Sequence, residues 1–345
     1  MLNIVAGGFY GDEGKGKVVG YLARKDKPYL VVRAGGGPQA GHTVEKGVVV
    51  TQIPSGFVEL SSRLLIARGT VINPTILLNE IDKYSSYGVR ERIGIDYGCT
   101  IIEDHHIELE RELVERIGSV GTGTGPARAD RILRKAKLAQ DLHSLKPYLT
   151  DVVAEVNTAV REKKDVLVEG VQGYGLSLLN HRFYPFVTSQ DTTASQFAAD
   201  VGVGPKVVDE VTVVFKAYVS RVGKGPLENE FSQQDIKLFG LEEKASVSGR
   251  DRRIAQFNWD LALESLIANT GTQVALTNVD RSHRNNHGVT DFRDLGEETL
   301  LFIAKLDEFF REKAGLYYKG IPLISTGDRI QDMVDLRYNI ESLVD

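Results

Sequence analysis

Residues Gly11–Lys17 read Gly-Asp-Glu-Gly-Lys-Gly-Lys, just after an apolar run over Ile4–Ala6 and just before a helix-like run over Lys17–Arg24. Strand, glycine-rich turn and helix in that order aim backbone N–H groups and a helix N-terminus at phosphate. The spacing of Gly11, Gly16 and Lys17 fits a phosphate loop. Val18, however, stands where such loops carry the Ser or Thr that binds Mg²⁺, and Asp12-Glu13 place an acidic pair inside the turn. A carboxylate held against a triphosphate is repulsive unless it binds the metal or does chemistry. The loop therefore reads as one that reacts as well as holds.

Short apolar runs alternate with longer amphipathic stretches along the 345 residues. The pattern predicts strands over Asn3–Ala6, Tyr29–Arg33, Leu64–Ala67, Val166–Glu169, Val211–Ala217, Val274–Thr277 and Pro322–Ser325. It predicts helices over Pro74–Tyr84, Asp104–Ile117, Leu145–Lys163, Trp259–Ala268 and Leu295–Ala314, with Asn258 as an N-cap. This is an α/β chain with a mostly parallel central sheet and flanking helices. No linker divides it, so residues 1–345 read as one elaborated domain, with a helical excursion around 84–149 where strand signals weaken. Net charge is −5 and one cysteine is present, which argues against general nucleic-acid affinity, a disulfide framework and a cysteine metal cluster. No run reaches transmembrane length, and the N-terminal apolar stretch is too short for a signal peptide. The expectation is a cytoplasmic enzyme without a membrane partner.

The 35 glycines gather at the ends of apolar runs, where ligand loops lie in α/β folds. After the strand ending at Arg33 comes a second glycine-rich loop, residues 34–43, containing Gln39, Gly41, His42 and Thr43. Two such loops after early strands meet at one sheet edge, which makes His42 a candidate acid or hydrogen-bond donor to a phosphoryl group. Thr277-Asn278-Val279-Asp280 follows another strand, and guanine offers two donors that one carboxylate, Asp280, can accept. Ser325-Thr326-Gly327 closes the last strand and could present N–H groups to the guanine carbonyl. Ser246–Arg253 sets three arginines around Gly249, a loop suited to carboxylate or phosphate. Arg128, Arg131 and Arg134 share a helix face that binds anions or is simply solvated. Gln172 has the donor and acceptor a base or ribose would need, and equally those of a buried structural amide. His105-His106 and His283/His287 lack the carboxylate spacing of a zinc site and read as structural.

Taken together these residues resemble the adenylosuccinate synthetase family. Residues 11–17, Ala40–Thr43, Ile53–Gly56, Glu169–Gly173, Tyr184–Ser189, Lys216–Pro226, Ser248–Arg253 and Ile324–Arg329 occur in the family's order and span nearly the whole chain. The length resembles the compact archaeal forms. The resemblance implies the family's α/β fold, partly like P-loop nucleotide-binding proteins. It implies a ligase that joins IMP and L-aspartate with GTP and one Mg²⁺ per subunit, through 6-phosphoryl-IMP, on the route to AMP.

By the same matching, Asp12 is the general base and His42 the donor to the transferring phosphoryl group. GTP falls to Gly11, Asp12, Glu13, Gly14, Lys15, Gly16, Lys17, Gly41, His42, Thr43 and Arg252, with Asn278, Val279, Asp280, Ser325, Thr326 and Gly327 around guanine. IMP falls to Asp12, Lys15, Gln39, Ser119, Arg134, Gln172, Thr188 and Arg250, Arg134 reaching in from the partner of a homodimer. Val247, Ser248, Gly249, Arg250 and Arg252 hold the amino acid, and Asp12 with the Gly41 carbonyl holds Mg²⁺. The chain departs from the family's usual residues at Pro38, Gln39, Val120, Asn278 and Asp251, and Ser119 stands ready to replace the hydroxyl that Val120 lacks. Two rival readings remain: a GTP-dependent switch that binds partners, and a phosphoryl-activating ligase that uses ATP or another acceptor.

Overall fold

The computed structural model describes residues 1–338. Ten strands form the central sheet: β1 Leu2–Gly7, β2 Leu30–Arg33, β3 Arg63–Ile66, β4 Ile93–Asp96, β5 Leu149–Thr150, β6 Val166–Glu169, β7 Glu210–Lys216, β8 Gln273–Thr277, β9 Leu323–Ser325 and β10 Met333–Asp335. Their spatial order is β10-β9-β8-β7-β1-β6-β2-β3-β4-β5, and every pairing is parallel except β9 with β10. All seven strands expected from the sequence lie in this sheet.

Both faces of the sheet are covered, which is why its strands read as unbroken apolar runs. In β1, Ile4 and Ala6 belong to one core and Val5 to the other; in β7, Val213 and Phe215 oppose Val214. Burying such side chains contributes about 1.5–3 kcal/mol each, so the middle of the sheet is a stiff platform. Loops leaving the carboxyl ends of β1, β2, β6, β8 and β9 emerge on one edge, with β1 central among them.

The helices Asp104–Ile117 and Trp259–Ala268 have the expected bounds, and Asn258 caps the second by accepting from the Leu261 amide at 2.9 Å. The single helix expected over Leu145–Lys163 is instead a 3₁₀ segment over His143–Tyr148, the edge strand β5, and a helix over Val152–Arg161. Pro147 interrupts the first part and Asp151 caps the second. The stretch 84–149 holds helices at Asp104–Ile117 and Thr124–Ile132, and it also gives β4 to the main sheet.

Candidate active site

The acidic pair in the first loop divides its labour. Glu13 is buried and holds the turn together: Oε1 accepts from the amides of Phe9 and Gly11, each at 2.8 Å, and Oε2 accepts from Lys15 Nζ at 2.7 Å. Thr277 at the end of β8 donates to the Glu13 carbonyl at 2.6 Å, fastening the loop to the sheet. Gly14, at φ +83°, turns the chain into the Lys15–Asp26 helix. A Cβ on Gly16 would lie 2.8 Å from both His42 Cβ and the Thr43 carbonyl oxygen, so glycine there lets the helix approach the second loop. Lys17 Nζ donates to Ser325 Oγ, Gly327 O and Asp332 O at 2.7, 2.7 and 2.8 Å. Its three donors are spent on the loop after β9. Burial pushes its pKa down to about 8 against the pull of Asp332 and Asp280.

Asp12 takes a different place. Oδ1 pairs with Arg252 at 2.9 Å, and Oδ2 is buried without a protein partner. Burial raises its pKa, and Arg252 and Lys216 oppose that rise. His42 opens the hairpin of His42–Glu45 with Val48–Val50. Its Nδ1 hydrogen-bonds Glu169 Oε1, at the end of β6. Glu169 also accepts from Arg33 at 2.9 Å and from the Ser55 amide and hydroxyl at 2.6 and 2.5 Å. Burial would raise Glu169, but Arg33 and His42 together hold it down to about 2. Burial, helped by Arg33, pushes His42 down to about 4 despite Glu169. Arg33 Nη1 also lies 2.7 Å from Nδ1, so Nδ1 is shared between a carboxylate and a guanidinium, while Nε2, buried and unpartnered, is the free face of the ring.

Two cavities meet here, of about 310 and 660 Å³. Gly11, Asp12, Gly41, His42, Ser246 and Arg252 line both and form the partition between them.

The smaller cavity gathers Gln39, Ser119, Gln172, Thr188, Val247, Ser248 and Arg250. Thr124 donates to Gln39 Oε1 at 2.7 Å, which engages that oxygen and leaves the donors to the amide nitrogen. Gln172 donates to Thr188 Oγ1 at 2.6 Å and keeps Oε1 unpartnered. Ser119 spends its proton on the buried carboxylate of Glu110, which also accepts from the Gly123 amide. Arg250 donates to the carbonyls of Gly118 and Ser119 at 3.0 and 3.3 Å. The larger cavity gathers Gly14, Lys15, Gly16, Lys17, Thr43, Asn278, Asp280 and Gly327. Asp280 sits 3.4 Å from His287 Nδ1. Glu13, Val279, Gly249, Ser325, Thr326 and Arg134 line neither cavity. The exposed Arg134 guanidinium donates to its own Ile132 carbonyl at 2.7 Å.

The adenylosuccinate synthetase family model matches residues 4–146 and 136–289, most of the chain. The chain belongs to this family. It is 46% identical to the adenylosuccinate synthetase of Thermococcus sibiricus over 343 residues, covering 98% of this chain and 99% of that one. It is 45% identical to that of Archaeoglobus fulgidus over 340 residues, covering 97% and 98%. Among solved structures, fully ligated adenylosuccinate synthetase from Plasmodium falciparum aligns with a TM-score of 0.86 at 20% identity, covering 96% of this chain and 99% of that one. The cyanophage S-2L succinoaminodeoxyadenylate synthetase aligns at 0.76 and 22%, covering 97% and 95%. These two likenesses establish the same fold.

Several working parts of this family member were not singled out from the sequence. Glu169 was read only within its motif, and its partner His42 lies 127 positions away. Lys216 was likewise read only within its motif, and Glu243 and Glu110 carried no local signal. Space also supplies a carboxylate that spacing did not: Asp130 Oδ2 lies 3.6 Å from His105 Nε2 and 3.2 Å from His106 Nε2. His106 Nδ1 accepts the Glu103 amide at 3.0 Å, so Nε2 carries the proton and donates to Asp130. That tautomer suits a helix cap and leaves no lone pair on Nε2 for a metal.

Proposed function

We propose that this protein is an adenylosuccinate synthetase that joins IMP to L-aspartate, with GTP converted to GDP and phosphate. Family membership carries the activity. The observation supporting the assignment of roles is the partition between the two cavities, where Asp12 Oδ2 and His42 Nε2 are both buried and unpartnered. Reactive groups belong where two substrates touch. The smaller cavity would take IMP and the larger one GTP, within a single domain.

Asp12 takes the proton from IMP N1, and the electron pair moves to O6. O6 attacks the γ-phosphorus, and GDP leaves. The aspartate amine then adds at C6, and phosphate departs with the former O6. Burial keeps Asp12 basic enough for the first step. His42 stabilises the transferring phosphoryl group from Nε2. With Nδ1 engaged by Glu169, donation from Nε2 needs the doubly protonated ring, which burial alone disfavours and the triphosphate's negative charge would favour once bound.

Phosphate oxygens would meet the amides of Gly14–Lys17 at the helix N-terminus. Lys17 serves GTP indirectly, by fixing Ser325–Gly327 beside the base. Asp280 reads guanine N1 and N2, with Asn278 and Val279 shaping the turn. Gln39, Thr188, Gln172, Ser119 and Arg250 bind IMP, and Val247–Arg252 the amino acid. Arg134, outside this chain's cavities, serves the partner's IMP in a homodimer. The protein acts in the cytoplasm.

The unpartnered, buried Asp12 Oδ2 is a hard anionic oxygen of the kind Mg²⁺ prefers. Asp12 and the Gly41 carbonyl would hold the ion, which supplies charge neutralisation of the phosphates. This also accounts for Val18 where other phosphate loops place a hydroxyl. The test is phosphate release from Mg·GTP with IMP or L-aspartate omitted in turn. Release that needs all three, with adenylosuccinate formed in step, supports the assignment. Release from GTP alone supports the switch and overturns it.

A further inference from the structure

Beside Arg252 and Asp12, on the wall of the larger cavity, lie two buried charged groups to which the mechanism above gives no part. Lys216, at the end of β7, is 2% exposed and Glu243 is 6% exposed. Glu243 Oε2 accepts from Lys216 Nζ at 2.6 Å and from Arg252 Nη1 at 2.9 Å, and Oε1 accepts from the Tyr218 hydroxyl. The Arg252 amide donates to the Glu243 carbonyl at 3.0 Å. Arg252 Nη2 completes the series on Asp12 Oδ1 at 2.9 Å. Lys216, Glu243, Arg252 and Asp12 thus alternate in sign from the wall of the larger cavity to the partition between the two.

The guanidinium is planar and rigid, so holding one edge orients the other. Glu243 holds Nη1 from the wall of the larger cavity, while Nη2 rests on Asp12. Remove the Glu243 charge, and two buried cations face each other while Arg252 has only Asp12 as its anion. Asp12 could then turn to the nucleotide only by leaving Arg252 with no fixed anchor. We infer that Glu243 is a positioning residue: it retains Arg252 by Nη1 so that Nη2 can pass from Asp12 to a carboxylate of the amino-acid substrate. This rests on the reading that Asp12 serves IMP and Arg252 serves aspartate.

The test is steady-state kinetics of the full-length protein, varying each substrate in turn, for wild type, Glu243→Gln, Glu243→Asp, Arg252→Lys and the double variants. Glu243→Gln is expected to raise KM for L-aspartate at least tenfold, with KM for IMP within about twofold of wild type and KM for GTP, whose cavity Glu243 also lines, raised less than that for aspartate. Glu243→Asp, which keeps the charge, recovers part of that loss. In the Arg252→Lys background neither substitution raises the aspartate KM further, because the effect acts through Arg252. If Glu243→Gln does not fold, the cycle with Glu243→Asp carries the same comparison. An unchanged aspartate KM, or equal losses for all three substrates together with a lowered unfolding midpoint, overturns the inference while wild-type turnover keeps the functional reading intact. Wild-type GTP turnover that ignores IMP and aspartate overturns both.

Discussion

Glu169 ends the central strand β6 and His42 opens the separate His42–Glu45 hairpin, with the carboxylate hydrogen-bonded to Nδ1 and Nε2 buried without a partner. Arg33 and Ser55 fix the carboxylate in turn. On the proposed roles, the pair would set which nitrogen of the ring faces the phosphoryl group. Glu169→Gln removes the charge that favours the imidazolium. It should lower kcat by about 10²-fold or more, the range of a lost acid–base contribution, with little change in GTP affinity. Rapid-quench turnover beside GTP titration checks this; an equal loss in both would mean that Glu169 only supports the fold.

Asp280 should decide between purines. Charge-assisted hydrogen bonds contribute about 1.5–3 kcal/mol, so Asp280→Asn should cost GTP about 10- to 100-fold in kcat/KM. The ATP value should stay within about twofold. Equal losses for both nucleotides would place guanine elsewhere.

If Gln39 binds IMP, Thr124 should act on that substrate through it. Thr124→Val keeps the shape and removes the donor to Gln39 Oε1, releasing the amide to rotate. One hydrogen bond of about 1 kcal/mol predicts a rise in KM for IMP of about fivefold with kcat unchanged. An unaltered KM would show that the Gln39 orientation does not matter to IMP.

Asp200 offers a stability test away from the chemistry. It is buried, Oδ2 is unpartnered, and burial pushes its pKa up to about 6 from 3.8. A raised carboxyl costs the folded state as pH rises through about 4 to 6, because the unfolded chain ionises first. Below that window both states are protonated and the cost is absent; above it the cost is complete. Asp200→Asn should therefore stabilise the protein at pH 8 by about 1–3 kcal/mol and leave it nearly unchanged near pH 4. Unfolding curves at the two pH values check the sign, which the opposite ordering would refute.

The parallel sheet was legible because strands buried on both faces are continuous apolar runs closed by glycine loops, as in Ile4–Ala6 and Val166–Glu169. Short edge strands were not: Leu149–Thr150 has two residues and sits between Pro147 and a capped helix, so the local pattern read as one helix. The loops of the site were legible because glycine, charge and hydroxyl cluster in them. Their supports were not, since a buried ion pair such as Lys216–Glu243 joins residues 27 apart with no periodic signal. Lys17 illustrates the same limit: the motif suggests phosphate, while the ammonium binds a loop some 310 residues away.

Asp12→Asn should abolish turnover while GTP still binds, because the amide cannot accept the N1 proton. Near-normal turnover in this variant would remove Asp12 from the role of base.

The most direct test of the central claim follows the oxygen on C6. If O6 attacks the γ-phosphorus at the partition, IMP carrying ¹⁸O at O6 must deliver that atom to the released phosphate. The account predicts one ¹⁸O in each phosphate, matched to adenylosuccinate formed, by mass spectrometry. Unlabelled phosphate appearing alongside adenylosuccinate would contradict it.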